Sequence, residues 1–210
     1  MPVIDRIWRR IPRATLALLT TVAVLAVVVV IIGWVERKRN ADEEYAVYSA
    51  YLSEGLLNDA HDWSVGGPVQ LVIEDTTRIG ENLRWSALYV LDSRVSFGQL
   101  HASTRASFLV RNLLHTRILP KFVLPSRATV VLAPKSDIEP GLQGSPEFQK
   151  KFPHNMGFII LSGVGFNASR TQAVFYIDHF CGLCGGGRYV LMEKANGSWQ
   201  VRDAHYTWIS

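Results

Sequence analysis

The sequence has no G-x-S-x-G, no P-loop and no G-x-G-x-x-G in a strand-to-helix setting. This removes the motif-level signs of an α/β-hydrolase, a P-loop nucleotidase and a dinucleotide-binding enzyme. Cysteine is scarce: Cys181 and Cys184 are the only two in 210 residues. A structural zinc site wants four ligands, so two thiols alone do not make one. No internal repeat is present, and no low-complexity segment beyond one apolar run. No charged residue lies between Arg13 and Glu36, and none of residues 40–77 is Lys or Arg.

The chain is nonetheless basic, with a net charge of +4 and a pI near 9.2. That balance would suit a nucleic-acid binder only if it lay in the folded domain. It does not: residues 1–13 carry +3, residues 36–39 carry +2 and residues 40–210 sum to −1. The basic residues flank the uncharged run ATLALLTTVAVLAVVVVIIGWV, which as a helix would extend roughly 33 Å. Trp8 and Trp34 bracket it as interfacial aromatics do. The pattern predicts a basic cytoplasmic tail over 1–13, an uncleaved transmembrane signal anchor over 14–35, a juxtamembrane linker over 36–44 and one extracytoplasmic domain over 45–210. The expected location is the inner membrane, single-pass, N-terminus inside. The expected partners are the lipid bilayer through residues 14–35 and either another envelope protein or an anionic surface, with no nucleic acid.

Beyond the run, Tyr45, Tyr48, Leu52 and Leu56 recur at helical spacing, predicting an amphipathic helix over 42–57. Val69–Asp75 reads as a strand after Gly66-Gly67-Pro68. Residues 78–103 show no dominant period. Ser103 or Thr104 can cap a helix running to about Leu119, where Pro120 ends it. Ala128–Ala133 reads as a short buried strand. Ser145-Pro146-Glu147 gives an N-cap, a proline at the first helical position and an acid in the first turn, for a helix through Lys151. The last third alternates: Phe158–Ser162, Thr171–Phe180, Arg188–Glu193 and Ser198–Trp208, with Asn196-Gly197 as a hairpin turn. The predicted class is α+β: an N-terminal transmembrane helix, then one domain with helices packed on a C-terminal antiparallel β-meander.

Within the domain, charge is polarised along the sequence. Residues 40–77 hold eight acids, whereas 78–135 hold nine Lys or Arg and only Glu81 and Asp92 as acids. Either the two parts lie side by side and compensate, or Arg105, Arg111, Arg117, Lys121 and Arg127 form a basic face.

The order SGVGFN (162–167), TQAVFY (171–176), CGLCGGGRYVLMEK (181–194), NGSW (196–199) and the closing TWIS resembles a family of uncharacterised bacterial extracytoplasmic proteins. Its members carry S-x-V-G-F-N and C-G-x-x-C-G-x-G-x-Y-x-L-x-E-K. The likeness is strongest from Phe158 onward and excludes the apolar run, and Gly163 stands where that family usually has Arg. It implies an envelope location and a shared fold, and supplies no mechanism. The hairpin YVLMEKANGSWQV also looks like the last strands of cone-shaped pocket domains related to nuclear transport factor 2, which would place a small apolar ligand between helix and sheet.

Three readings of Cys181-Gly182-Leu183-Cys184 stay open. The first is a structural disulfide that pins a Gly-rich turn, stabilising by roughly 2 kcal/mol because the closed loop is short. The second is a redox dithiol, which would need a thiolate of lowered pKa, commonly at a helix N-terminus. The third is a metal site of His179, Cys181, Cys184 and His205. Asp178 and His179 are adjacent on a strand and point to opposite faces, so no catalytic pair forms there. The expectation is a binding or interaction domain without catalytic residues or cofactor, with a membrane-anchored thiol-disulfide protein or an apolar-ligand pocket as alternatives.

Overall fold

A computed structural model describes residues 13–57, 68–78, 99–138, 145–181 and 185–209. The chain divides into two compact units, Met1–Arg39 and Asn40–Ser210. Helix α1 spans Arg13–Tyr51. The transmembrane expectation is corrected here, because among the described residues no helix is long and apolar enough to cross a membrane. Helix α1 takes in the charged residues 36–44 as well as the apolar run. In the first unit its described side chains are exposed, Leu18 at 64% and Trp34 at 61% among them.

In the second unit, Tyr45, Tyr48 and Tyr51 of α1 turn one stripe inward, and all are buried. The helix then widens into a π-helical turn, Leu52–Leu56, which keeps Leu52 and Leu56 in the core. Strand β1 is Val69–Glu74, and helix α2 is Ala102–Arg111. The helix expected to reach Leu119 therefore stops at Arg111. Strand β2 is Ala128–Ala133. Helix α3 (Lys135–Ile138) and helix α4 (Pro146–Lys151) follow. Ser145 Oγ caps α4 by accepting from Phe148 N at 3.2 Å. The remaining strands are β3 (Asn155–Leu161), β4 (Gly165–Phe166), β5 (Gln172–Phe180), β6 (Gly186–Ala195) and β7 (Ser198–Ile209).

The class is α+β, but the sheet corrects the expected meander. It has seven strands in the order β2-β1-β3-β5-β6-β7, with β4 on β5. The antiparallel part is β3-β5-β6-β7, whereas β1 runs parallel to both β2 and β3. Parallel neighbours need long crossovers, and here the crossovers carry α2, α3 and α4. Residues 79–98, which had no legible period, lie outside the described residues.

Both faces of the sheet are covered. On one, Leu71, Ile73, Ile159, Phe175, Ile177 and Val190 meet the inward stripe of α1. On the other, Phe108 of α2 covers Val174, Tyr176, Tyr189 and Leu191, while Ile138, Phe148 and Phe152 cover Val72, Phe158 and Ile160.

Candidate functional site

Cys181 follows β5 and is half-buried. Cys184 lies outside the described residues. No described cysteine is free, and Cys181 is disulfide-bonded. Of the expected metal set, Cys184 is outside the described residues. Among the described residues no group of three or more His, Cys, Asp or Glu side chains could hold a metal ion. His179 lies on the α1 side of β5 and its Nε2 is 2.6 Å from the carbonyl oxygen of Met156. His205 pairs with Tyr189 in the β6–β7 ladder, on the α2 side of the sheet. Burial lowers the His179 pKa, against the opposing effect of the Met156 bond.

The five basic residues do not form one face. Arg111 is buried and ion-paired with Glu44, and Lys121 pairs with Asp42 at 2.9 Å. Arg127 donates from Nη2 to the carbonyl of Leu57 at 3.1 Å. Arg105 is half-buried on α2, and Arg117 is exposed in an isolated bridge with Thr76. Acidic residues from the first part of the unit thus meet basic residues from the next, which is the compensating arrangement. Glu44 is its centre. Its Oε1 accepts from Val164 N at 3.0 Å and Tyr48 Oη at 3.1 Å, and its Oε2 accepts from Arg111. Burial raises the Tyr48 pKa far above its ordinary value, helped by the Glu44 charge.

The S-G-V-G-F-N segment is an architectural joint. Ser162 Oγ accepts from Tyr176 N at 2.7 Å, and Asn167 Oδ1 accepts from Thr171 N at 2.9 Å and Gln172 N at 3.1 Å. These bonds satisfy one backbone donor within β5 and two where β4 turns into it.

Two polar arrangements remain. The first lies between the two apolar clusters on the α2 side. Asp178 Oδ1 accepts from Tyr176 Oη at 2.7 Å and Trp208 Nε1 at 2.8 Å, and Tyr176 Oη is 3.1 Å from Thr207 Oγ1. Burial raises the Asp178 pKa above the ordinary aspartate value, although both hydrogen bonds oppose it. Burial likewise raises Glu74, which pairs with Arg78 at 2.7 Å. Asp178 Oδ1 is thus taken up by two donors of the same group, and Thr207 Oγ1 donates to the carbonyl of Gly187 at 3.0 Å.

The second is a cleft of about 480 Å³ at the opposite side of the sheet. One wall is the end of α1 and its π-helical turn, with Tyr51, Glu54 and Gly55; the other is β6 and β7, with Arg188, Gln200, Val201, Ala204 and Tyr206. Arg188 shares a sheet face with Val190 and Met192, whose side chains are in the core. The guanidinium lies 5.4 Å from the Tyr51 ring centre and 5.1 Å from that of Tyr206, and its Nη1 donates to Tyr206 Oη. Two ring contacts and one hydrogen bond restrain the cation. π-helical turns are uncommon and often mark functional positions. The centre of the helix–sheet interface, by contrast, is filled by Tyr48 and Phe175, 5.6 Å apart edge to face.

Sequence reasoning missed this site. Its signal was a lone arginine in the otherwise apolar alternation Arg188, Val190, Met192, which puts a charge on a face that should be buried. A scan of family models and searches of curated proteins and solved structures return no match for this chain.

Proposed function

We propose that the unit from Asn40 onward is a non-catalytic binding module and that the Arg188 cleft is its ligand site. The observation that carries this reading is the Arg188 guanidinium within 5.4 Å and 5.1 Å of two tyrosine ring centres in an open cleft. Its volume falls within the range of small-molecule sites, roughly 300–1,000 Å³. A cation restrained by two ring contacts and a hydrogen bond needs less ordering when a ligand arrives. Among the described residues the cleft places Glu54 and Gln200 beside it, with Val201 and Ala204 as its small apolar contacts. That lining suits a polar ligand better than an apolar one. Among the described residues it presents no nucleophile with an adjacent base, which is why the reading is recognition and not turnover.

The test is a ligand-observed NMR screen of the full chain against a library of small polar fragments, repeated on Arg188→Gln and on a distant control, Lys135→Gln. Fragments whose signals broaden with wild type and the control, and recover with Arg188→Gln, support the reading. Fragments that bind equally to all three proteins would remove the cleft as the site, and chemical conversion of any fragment would remove the non-catalytic reading.

A further inference from the structure

Resting on that reading, we infer that the cleft takes a small amino-carboxylate: a free amino acid or short peptide with both its carboxylate and its ammonium group available. Among its described residues the cleft holds one cation and one carboxylate, Arg188 on the sheet wall and Glu54 on the π-helical turn. A guanidinium has five N–H donors in a planar fork, and the described contacts of Arg188 use one, toward Tyr206. The remaining edge matches a planar carboxylate, with which guanidinium makes two parallel charge-assisted bonds.

Glu54 narrows the class further. It is exposed on the turn and lines the same cleft. A phosphate or other multiply charged anion gains from Arg188 and is repelled by Glu54, whereas an ammonium group on the same ligand is attracted to it. The pair therefore reads a ligand with one charge of each sign. Gln200 offers an amide donor and acceptor to the backbone-like atoms between the two charges. Arg188 and Glu54 come from a strand and a helix end, so the spacing of the two charges is set by how those elements pack.

The experiment uses isothermal titration of the full chain with alanyl-alanine, its C-terminal amide, its N-acetyl derivative and inorganic phosphate. The expected result is saturable binding of alanyl-alanine, weakened about tenfold or more by amidation and less by acetylation, with phosphate weaker than the dipeptide. Arg188→Gln is expected to abolish the difference between acid and amide. Glu54→Gln, on the exposed turn, is expected to abolish the difference between free and acetylated amine while retaining that between acid and amide. Comparing the ligands on wild type needs no variant to fold. Failure of alanyl-alanine to bind, equal affinity for its amide, or tighter binding of phosphate overturns the amino-carboxylate class. If fragments of another class still bind in an Arg188-dependent way, only the class fails; if nothing binds there, the module reading fails with it.

Discussion

A methyl group added at Gly187 would lie 2.1 Å from Trp208 Nε1, 2.2 Å from Tyr176 Oη and 2.4 Å from Asp178 Oδ1. One position in the glycine run is thus fixed by space: the polar group around Asp178 closes over the backbone of β6. Gly187→Ala is expected to part those bonds and destabilise the chain by about 1–3 kcal/mol, read as a lower denaturant midpoint with altered Trp fluorescence. Asp178 itself supplies a pH signature. Burial leaves its folded-state pKa above the unfolded value, so the folded chain binds more protons across that interval. Stability from this group is greatest below the unfolded pKa and declines as pH rises through the folded pKa. Asn in its place keeps an acceptor for Tyr176 and Trp208 without the charge. Asp178→Asn is therefore expected to gain more stability relative to wild type at pH 7 than at pH 4, as measured by urea unfolding at both. Glu43 works in the other direction: burial would raise its pKa, but bonds from Lys194 and Trp199 outweigh that and lower it. Its contribution is present above the unfolded pKa and lost on acidification.

Elements differ in how far the sequence discloses them. Strand β2 occupies the residues its short β-rich run indicates, and α4 begins where Ser145 and Pro146 place it. The turn at Asn196-Gly197 has both residues at positive φ, 51° and 82°, the conformation that pair favours. All four stripe residues Tyr45, Tyr48, Leu52 and Leu56 are buried. These signals are local, contained within a few residues. The π-helical turn is not among them, because nothing in Leu52-Ser53-Glu54-Gly55-Leu56 distinguishes it from an ordinary helical end. Strand β4 has only two residues and no period to detect. The parallel pairing of β1 escapes for a different reason: alternation tells which residues share a face, and neither which strand lies beside them nor its direction. Composition likewise marks an apolar run without showing that its helix continues into the charged segment. The cleft needed β6, β7 and the end of α1 together, and only Arg188 gave a trace of it.

Across the molecule, charges separated in sequence are neutralised within the second unit. Glu44 with Arg111 and Asp42 with Lys121 link α1 to α2 and to the loop after it. Glu43 with Lys194 links it to β6. The pairs are not equivalent. Removing one member of a buried pair strands the other, so Arg111→Met is expected to cost about 3–5 kcal/mol in chemical denaturation. Adding Glu44→Gln should return part of that loss, since Tyr48 and Val164 can still bond the neutral side chain. Lys121→Ala, at an exposed pair, is expected to leave the midpoint unchanged.

The mixed sheet also sets an order of events in time. Strands β5, β6 and β7 are neighbours in both sequence and space, and their pairing closes short loops. Strand β1 meets partners that begin at Ala128 and Asn155, far along the chain, so its place in the sheet requires the ends of long loops to be brought together first. The antiparallel hairpins are thus expected to form the folding nucleus, with β1 inserting between β2 and β3 afterwards. Substitutions such as Val190→Ala should slow refolding, and Val72→Ala should chiefly accelerate unfolding, a contrast that stopped-flow chevron plots of the two variants would reveal.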